Sequence, residues 1–282
     1  MPRLAMLTPA ADYDAAHDWA YDNQAAALRD AGAEVTPVRW TEATDLGSFD
    51  LVLPLVAWGY HLRFAEWLAF LDRLEADGTR VANPPALLRW NSDKRYLAEL
   101  SAAGIATVPT LEVDHLNEAA LTAAHGVFAT DQLVVKPPVS AGASGTFRLG
   151  PGEPVPEEVH GARMMIQPWL GSVVDRGETS LLLFDGKLSH AVIKRPKPGD
   201  YRVQPHHGGT TEQCDAPAGA IDLARAALAL APTPSSYARV DFLMADDGAL
   251  QIVELELIEP ALFLDYEPKA KQRFAEAVLA AV

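Results

Sequence analysis

The chain has 282 residues, of which 23 are basic and 38 are acidic, so its formal charge is −15. This charge excludes the broad basic surface that nucleic-acid binding requires, although a small anionic ligand needs only a few well-placed cations. No apolar run approaches the roughly 20 residues that span a bilayer, and residues 1–7 meet polar sequence too early for a signal peptide. The single cysteine, Cys214, cannot form an internal disulfide. We therefore expect a cytoplasmic protein without nucleic-acid or membrane partners.

The first third of the chain alternates strand and helix patterns. Strands are predicted at Arg3–Leu7, Glu34–Val38 and Leu51–Ala57, and helices at 19–31 and 64–75. This order predicts a small parallel sheet covered by helices, in which a ligand lies beyond the carboxyl ends of the strands. The third strand leads into Trp58-Gly59-Tyr60-His61, whose aromatic residues serve either as a seam between domains or as a substrate loop.

The second part of the chain begins at Asn83-Pro84-Pro85, where this alternation stops. Ser92 is predicted to cap a helix over 93–103 that ends at Gly104. The remaining sequence is rich in strand patterns, at 133–136, 164–166, 181–184, 188–194, 238–244 and 250–257. The fold class is therefore α/β at first and α+β in the C-terminal part. We divide the chain into an N-terminal α/β domain (1–84), a central subdomain (85–166) and a C-terminal subdomain (167–282).

Three carboxylates are predicted to meet on one hairpin near the C-terminus. Asp246-Asp247-Gly248 separates two alternating apolar runs, and Asp-Gly suits a two-residue type I′ turn. With the last two of these residues as the loop, Asp241 lies opposite Glu254 and Arg239 lies opposite Glu256, all on one face. A three-residue loop would shift the register by one and scatter these side chains over both faces.

Such crowding of like charge is unfavourable unless a cation compensates it. A hard divalent ion, Mg²⁺ above all, prefers oxygen ligands of this kind, so a metal site is one interpretation. The other is a solvated sheet face on which Arg239 and Glu256 form an ordinary cross-strand pair. Both stay open from the residues alone, although Glu-Leu-Glu opposite Asp is not a pattern that β-propensity favours.

A second group of residues is cationic and lies beside loops of small residues. Lys94 follows Ser92, Lys136 ends an apolar run, and the loop Ser140–Gly145 contains only Ser, Ala and Gly, so its N–H groups can approach an anion. Farther along, four cations precede a Gly-Gly pair: Lys194, Arg195, Lys197 and Arg202. In an acidic chain this clustering indicates a polyphosphate site, whereas a single lysine or small loop is usually a solvated edge or a turn. The loop matches neither the P-loop nor the Rossmann pattern.

Other segments allow two interpretations each. Met164–Leu170 is an apolar strand that runs into Gln-Pro-Trp, and it either lines an adenine pocket or belongs to the core. His206 and His207 ligate a metal, touch substrate or pack within their loop. Cys214 has no adjacent cation to lower its pKa, and we interpret it as structural.

The order and spacing of these segments resemble the ATP-grasp superfamily of carboxylate–amine ligases, in particular the branch of ribosomal-protein glutamate ligase and bacterial glutathione synthetase. The matching segments are Asn91–Lys94, Gly104–Pro109, Val134–Pro137, Ser140–Gly145, Ile166–Trp169, Lys194–Gly209, Arg239–Asp241 and Glu254–Pro260. The resemblance covers about residues 83–265 and implies an ATP-grasp fold with an N-terminal α/β pre-ATP-grasp domain. Within the superfamily, Trp90–Leu97, Glu254–Pro260 and the loop at Trp58–Tyr60 are similar to the D-cycloserine ligase branch, whose enzyme closes a ring on an O-ureido-serine substrate.

The resemblance also implies a role for each matching residue. The residues implied to bind the phosphates of ATP are Lys94 and Lys136, under a loop that includes Ser140, Gly142, Ser144 and Gly145. The adenine hinge comprises Gln167, Pro168, Trp169 and Leu170, and Glu178 falls at a ribose contact. The implied catalytic residues, facing the transferred phosphate, are Arg195 and Arg202. Two Mg²⁺ ions, with Mn²⁺ as an alternative, fall to Asp241, Glu254 and Glu256.

The implied reaction converts a small carboxylate, an amino acid or peptide, into an acyl phosphate and couples it to an amine with release of ADP. The coupling either joins two molecules or closes a ring. The family commonly has Asn where Glu256 and Gln204 stand, so the metal site carries an extra negative charge and the transferred role of Gln204 is in doubt. Two alternatives share the same phosphate and metal residues: an ATP-grasp small-molecule kinase, and a nucleotide-binding protein without turnover. Homodimers are common in the family.

Overall fold

The computed structural model describes the backbone of residues 1–282 and every side chain apart from that of His206, so our interpretation of His206 lies outside the described residues. The strands are β1 Arg3–Thr8, β2 Glu34–Arg39, β3 Leu51–Leu53, β4 Leu111–Val113, β5 Leu133–Lys136, β6 Phe147–Leu149, β7 Met164–Pro168, β8 Glu178–Phe184, β9 Lys187–Arg195, β10 Thr210–Cys214, β11 Tyr237–Met244 and β12 Leu250–Glu256. The α-helices are α1 Asp18–Asp30, α2 Phe64–Ala76, α3 Pro85–Asn91, α4 Tyr96–Ala102, α5 Glu118–Phe128, α6 Ser172–Asp175, α7 Ala220–Leu230 and α8 Ala270–Leu279. Among the described residues, none of these helices combines the length and apolar character needed to cross a membrane.

The first sheet is parallel, in the order β2-β1-β3, as the sequence predicts. Its third strand is shorter than the predicted 51–57, because β3 ends at Leu53. Pro54 has no N–H with which to continue the ladder, and its carbonyl instead accepts a hydrogen bond from Ala57 N at 2.9 Å. Residues 51–57 are all buried and apolar or proline. The sequence prediction therefore included the turn at 54–57 in the strand.

The second sheet is antiparallel, in the order β4-β7-β5-β6, and α5 packs against it. Three of its elements are absent from the sequence prediction: β4, α5 and β6. The two strands have only three residues each, too few to show an alternating pattern. The helix does carry a recognisable start, since the side chain of Asn117 accepts a hydrogen bond from Ala120 N at 2.9 Å.

The third sheet is antiparallel, in the order β10-β9-β8-β11-β12, and it contains the predicted hairpin. The predicted register is confirmed, with Asp241 opposite Glu254 and Arg239 opposite Glu256. The predicted two-residue turn is wrong: Ala245 N donates to Ala249 O at 2.8 Å, which leaves a three-residue loop, 246–248. A β-bulge at Val253 compensates, because one unpaired residue moves the register back by one.

The outer edge of β12 is covered by side chains from the preceding helices. The hydroxyl of Tyr96 accepts a hydrogen bond from Leu255 N at 3.0 Å and donates to Leu255 O at 3.1 Å. Asn91 accepts from Leu257 N at 2.9 Å and also donates to Leu255 O at 2.9 Å. These two buried side chains take the place of a neighbouring strand, so the edge has no free backbone at Leu255.

The predicted helix over 93–103 is also corrected. The structure has two short helices, α3 and α4, and Ser92 ends the first of them instead of beginning the second. The hydroxyl of Ser92 donates to Leu88 O at 2.6 Å and accepts from the indole of Trp67 at 2.9 Å. Lys94 therefore lies in the turn between the helices.

Two hydrophobic clusters show how the sheets are joined. One cluster combines residues of β1 and α1 with residues of β8, β11 and α8, so the first and third sheets share a core. The second sheet has its own cluster, made entirely of residues between 111 and 166. Our division at 84/85 and 166/167 stays a prediction; β7 runs across the second boundary, and α3 and α4 pack with the third sheet.

Candidate active site

Three carboxylates converge on one face of the third sheet. One oxygen each of Asp241, Glu254 and Glu256 lies within 4.8 Å of the other two. Asp241 is almost fully buried, with 2 % of its surface exposed, and Ser180 on the neighbouring strand donates to its Oδ1 at 2.6 Å. The face is therefore not the solvated sheet surface of the alternative interpretation, and these oxygens are close enough to share a cation.

Two buried cations, Arg239 and Lys194, pair with the carboxylates of this cluster. Arg239 donates to Asp241 from Nε at 3.0 Å, and it also pairs with Glu256 across the hairpin. Lys194 on β9 lies 3.2 Å from Asp241 and pairs with Glu178 on β8. Arg239 thus compensates the extra negative charge that Glu256 brings compared with the Asn common in the family.

The pKa values of the carboxyl groups diverge because of these neighbours. Burial disfavours the charged form of Asp241, but Arg239 and Lys194 outweigh it and hold the pKa of that carboxyl well below its usual range. Burial raises the pKa of Glu256 to about 7 despite Arg239, and Glu254 and Asp241 add to the rise. Asp241 is thus the fixed anion of the group, while Glu256 becomes a full anion only when more positive charge is near.

Two further lysines face the cluster from other elements. Lys94 Nζ lies 3.3 Å from Glu254 and donates to the carbonyl of Ser140 at 2.7 Å. Lys136 ends β5 with 9 % of its surface exposed, and burial lowers the pKa of its ammonium group to about 8, against the opposing pull of Glu254. Among the described residues, no carboxylate pairs with Lys136 directly. Its positive charge is therefore available to an anionic ligand.

The loop Ser140–Gly145 lies beside Lys94 and has an unusual backbone. Gly142, Ala143 and Gly145 all have positive φ, at 61°, 62° and 68°. A Cβ at Gly145 would lie 2.8 Å from Cγ of Pro137, so only glycine fits there without a shift. Small residues thus allow the chain to fold closely over the end of β5.

The predicted hinge, Gln167–Leu170, follows directly from β7. Gln167 is buried, and its side chain donates to Thr110 at 2.8 Å. The guanidinium of Arg148 lies over the ring of Trp169, 4.2 Å from its centre, and Tyr201 meets the same ring edge-on. The ring of Trp169, just after the end of β7, is therefore held between Arg148 and Tyr201.

The structure separates the remaining predicted residues from the cluster or gives them other partners. Glu178 is paired with Lys194 instead of being free for a ribose. Because side chains alternate along β9, Arg195 lies on the opposite face from Lys194, where it pairs with Glu212 at 3.3 Å. Arg202 makes a two-pronged pair with Asp200 in its own loop. Within this segment Lys194 reaches the carboxylates. The alternation of β9 allows only one of Lys194 and Arg195 on that face, and the pairing of β9 with β8 decides that it is Lys194.

A last group of side chains lies where the first sheet meets the third. Trp58 donates from its indole to the carbonyl of Glu259 at 3.1 Å, and Tyr60 is buried nearby. Tyr13 covers Gly59 so closely that a Cβ there would lie 2.7 Å from its ring. The aromatic loop at Trp58–His61 thus contacts the segment that follows β12, and its role as a substrate loop stays a prediction. Glu259 is absent from our predicted site, although it lies three residues after Glu256 in the matching segment Glu254–Pro260.

Comparison with known proteins places this geometry in a family. A family profile described as "D-cycloserine synthetase DcsG, N-terminal domain" matches residues 4–83. Over 271 residues the chain is 31 % identical to the cycloserine biosynthesis protein DcsG of Streptomyces lavendulae, with 89 % of this chain and 90 % of that protein covered. The chain belongs to the DcsG family of ATP-grasp ligases.

Solved structures agree with the DcsG assignment. The crystal structure of D-cycloserine synthetase DcsG superposes with a TM-score of 0.85 at 29 % identity, covering 99 % of this chain and all of that one. D-alanine–D-alanine ligase from Bacillus anthracis superposes with a TM-score of 0.73 at 19 % identity, covering 100 % of this chain and 97 % of that one, and confirms the ATP-grasp fold. The chain is an ADP-forming carboxylate–amine ligase. ATP-grasp ligases use ATP and Mg²⁺, and the ligase homologues act on small-molecule substrates.

The residues present fit the metal that the DcsG family requires. Three carboxylates within 4.8 Å of one another supply the hard oxygen ligands that Mg²⁺ prefers. One of them, Glu256, has a raised pKa that falls when a further cation binds beside it. The cluster therefore suits a divalent ion in its chemistry as well as in its spacing.

Proposed function

We propose that this enzyme activates the carboxylate of an amino acid or small peptide as an acyl phosphate and closes a ring by attack of an amine within the same molecule. The observation that supports this most directly is the meeting of three carboxylates, Asp241, Glu254 and Glu256, with the buried ammonium groups of Lys94 and Lys136. Ring closure is suggested by the similarity to DcsG, a D-cycloserine synthetase.

In this proposal Asp241, Glu254 and Glu256 hold two Mg²⁺ ions, for which Mn²⁺ is an alternative. Bound Mg²⁺ neutralises phosphate charge and stabilises the transferred phosphoryl group. Arg239 and Lys194 keep Asp241 ionised and in place, since both contact its carboxylate directly. Asp241 is therefore charged and in position before the ions arrive, whereas Glu256 ionises fully as they bind.

Lys94 and Lys136 contact the phosphates of ATP, and the Ser140–Gly145 loop covers them. Lys136 suits this role because its charge is buried and unpaired among the described residues, so an anionic ligand relieves an existing cost. Gln167–Leu170 borders the adenine. Glu178 pairs with Lys194 through one carboxylate oxygen, so it contacts the ribose through the other.

Arg195 and Arg202 stay our candidates for the transferred phosphate on the strength of the resemblance alone. Arg202 lies on a surface loop and is held by Asp200 through 2.9 and 3.1 Å hydrogen bonds, so its part in the reaction requires that pair to open. Positioning and electrostatics supply most of the acceleration in this chemistry, which is why the mechanism needs no nucleophilic side chain.

The proposal is tested by trapping the acyl phosphate. Purified enzyme is supplied with Mg²⁺, ATP and hydroxylamine, and ADP and hydroxamate are measured over a panel of carboxylic acids that includes O-ureido-serine, alanine and serine of either hand. We expect ADP and hydroxamate in equal amounts with at least one acid, and a cyclic product from the ureido acid when hydroxylamine is left out.

The control separates catalysis from folding. Glu254→Gln keeps the shape of a metal ligand and removes its charge, so turnover falls at least a hundredfold while the far-UV circular dichroism spectrum is unchanged. Glu75→Gln removes the same charge from the exposed end of α2 and leaves turnover intact. ADP formation without hydroxamate would indicate phosphoryl transfer to another acceptor and refute the ligase assignment.

We also place the enzyme in the cytoplasm, where ATP is supplied and a free thiol such as Cys214 stays reduced. We propose that the enzyme assembles as a homodimer, because homodimers are common in the family. Light scattering at several protein concentrations measures the assembly directly.

A further inference from the structure

Lys94 lies in a turn between two helices, so its position depends on contacts with other parts of the chain. Helix α3 ends at Asn91 and α4 begins at Tyr96. The Nζ atom of Lys94 lies 3.3 Å from Glu254 on the third sheet and donates to the carbonyl of Ser140 at 2.7 Å. A shift of the turn by about 1 Å is enough to lengthen one of these contacts beyond hydrogen-bond distance. The turn must therefore be fixed for both contacts to form.

Asp93 fixes the shape of the turn beside Lys94. Its Oδ1 accepts a hydrogen bond from Arg95 N at 3.0 Å, an Asx-turn that encloses Lys94 between its two partners. The backbone N–H of Lys94 itself donates to Pro138 O at 2.9 Å, in the segment that follows β5. The side chain of Asp93 is only 15 % exposed, so its contacts are largely shielded from water. Asp93 thus sets the conformation of the turn, and the segment after β5 sets its distance from the second sheet.

Arg163 holds Asp93 from the second sheet. It directly precedes β7, and its guanidinium donates to the carboxylate from Nη1 at 2.9 Å and from Nη2 at 3.3 Å. Nη2 also donates to Glu112 on β4 at 3.4 Å, which orients the guanidinium. Burial disfavours the charged form of Asp93, but the hydrogen bonds from Arg163 outweigh it and hold the pKa of that carboxyl below its ordinary value. A bidentate pair of this kind is stronger than a single exposed ion pair.

Arg163 and Asp93 belong to different parts of the fold. Helices α3 and α4, which flank Asp93, pack with the third sheet. Arg163 precedes β7, whose Met164 and Ile166 lie in the separate hydrophobic cluster of the second sheet. The far end of β7 includes the start of the predicted hinge, Gln167–Leu170. One strand of the second sheet thus supports the Lys94 turn at its beginning and the hinge at its end.

We propose that Arg163 and Asp93 are positioning residues for Lys94, and that their ion pair holds the Lys94 ammonium group where the phosphates of ATP bind. This inference rests on the proposed function, because it needs Lys94 to contact phosphate. The alternative is a purely structural pair that only joins the second sheet to the turn. The two roles differ in one measurable respect. A positioning pair acts on nucleotide binding through Lys94, so its effect disappears when the ammonium group of Lys94 is removed.

The test is a double-mutant cycle on nucleotide affinity. Calorimetry gives the dissociation constant of a non-hydrolysable ATP analogue, with Mg²⁺, for the wild type, Arg163→Met, Lys94→Gln and the double variant. We expect Arg163→Met to weaken binding roughly 10-fold, as for other losses of support behind a binding group. Lys94→Gln weakens it further, and the double variant binds no more weakly than Lys94→Gln alone. A second cycle with Lys94→Arg, which keeps the charge, covers the case in which Lys94→Gln does not fold.

Two conservative variants give an independent check. Asp93→Asn keeps an acceptor for Arg95 N and loses the charge, so it reproduces the loss seen in Arg163→Met. Arg163→Lys keeps the positive charge without the two-pronged geometry, and it recovers part of the affinity. If Asp93→Asn binds the analogue like the wild type, the pair does not position Lys94.

The matched control is Arg89→Met, which removes an ion pair with Asp72 from α3. The side chain of Arg89 is 36 % exposed, close to the 34 % of Arg163, and its loss leaves nucleotide affinity unchanged. Wild-type affinity in Arg163→Met, or losses that add in the double variant, overturns the inference and leaves the proposed function intact. If Lys94→Gln binds the analogue as tightly as the wild type, Lys94 does not contact the phosphates. The proposed nucleotide site is then wrong at that residue, and the inference fails with it.

Discussion

Tyr96→Phe tests whether the edge of β12 is held by side chains. The substitution keeps the ring, which is fully buried and packs beside Trp90, and removes only the hydroxyl. That hydroxyl accepts from Leu255 N at 3.0 Å and donates to Leu255 O at 3.1 Å. Asn91 still donates to the carbonyl, so the change leaves one buried N–H without a partner.

The expected cost follows from that single orphaned group. A buried N–H without an acceptor costs about 1–3 kcal/mol, and no cavity is added because only one oxygen is removed. For a chain of this size the melting midpoint falls by about 2–10 °C. Leu255 lies between Glu254 and Glu256, so the Mg²⁺ concentration that gives half-maximal activity rises roughly tenfold, as for other losses of support behind a metal ligand.

The measurements are urea unfolding followed by fluorescence and an Mg²⁺ titration of ADP release. The matched control is Tyr21→Phe, which removes a hydroxyl that accepts only from Arg29 at an exposed site. It costs less than about 0.5 kcal/mol and leaves the Mg²⁺ titration unchanged. If Tyr96→Phe is no more harmful than Tyr21→Phe, the account of the β12 edge is wrong.

Three further substitutions probe the site. Lys136→Met stabilises the nucleotide-free enzyme at pH 7 by roughly 1–3 kcal/mol and abolishes the thermal shift with ATP. Since burial lowers the pKa of this lysine from 10.5 to about 8, urea midpoints show the gain shrinking as pH rises through that window. Trp58→Phe removes the N–H that donates to Glu259 O at 3.1 Å and lowers the free energy of unfolding by about 1–3 kcal/mol, because a partly buried carbonyl loses its partner; an unchanged urea midpoint counts against this contact. Gly145→Ala, with its Cβ 2.8 Å from Pro137, raises the KM of ATP, whereas Gly161→Ala shares the positive φ without a contact and does not.

The sequence predicts the site more reliably than the turn that forms it. Period-two alternation places Asp241, Glu254 and Glu256 on one face, and the structure confirms their register. The loop is one residue longer than predicted, and the bulge at Val253 adds one unpaired residue to β12. The two shifts in strand register are opposite and cancel. Neither is visible in the pattern, because a bulge depends on how the two strands twist against each other.

Long-range partners were beyond the reach of the sequence. Lys194 and Arg195 are adjacent cations, and only the pairing of β9 with β8 decides which of them faces Asp241. Serine is a common residue at helix starts. The hydroxyl of Ser92, however, accepts a hydrogen bond from the indole of Trp67 and donates one to the carbonyl of Leu88. The contact of Glu259 with Trp58 could not be predicted either, because Trp58 is 201 residues away in the chain and belongs to the first sheet's side of the fold.

The first and third sheets share one hydrophobic cluster and the second sheet has another, which affects how the protein unfolds. The first and third sheets share a core through α8, so they unfold as one cooperative unit. The second sheet, with a small core of its own, is the part that opens at lowest free energy and meets proteases first. The carboxylates and Glu259 belong to the durable unit, while Lys136 and the hinge at Gln167–Leu170 belong to the labile one. The nucleotide site that we propose draws residues from both units, so we expect bound nucleotide to raise the free energy of opening the second sheet.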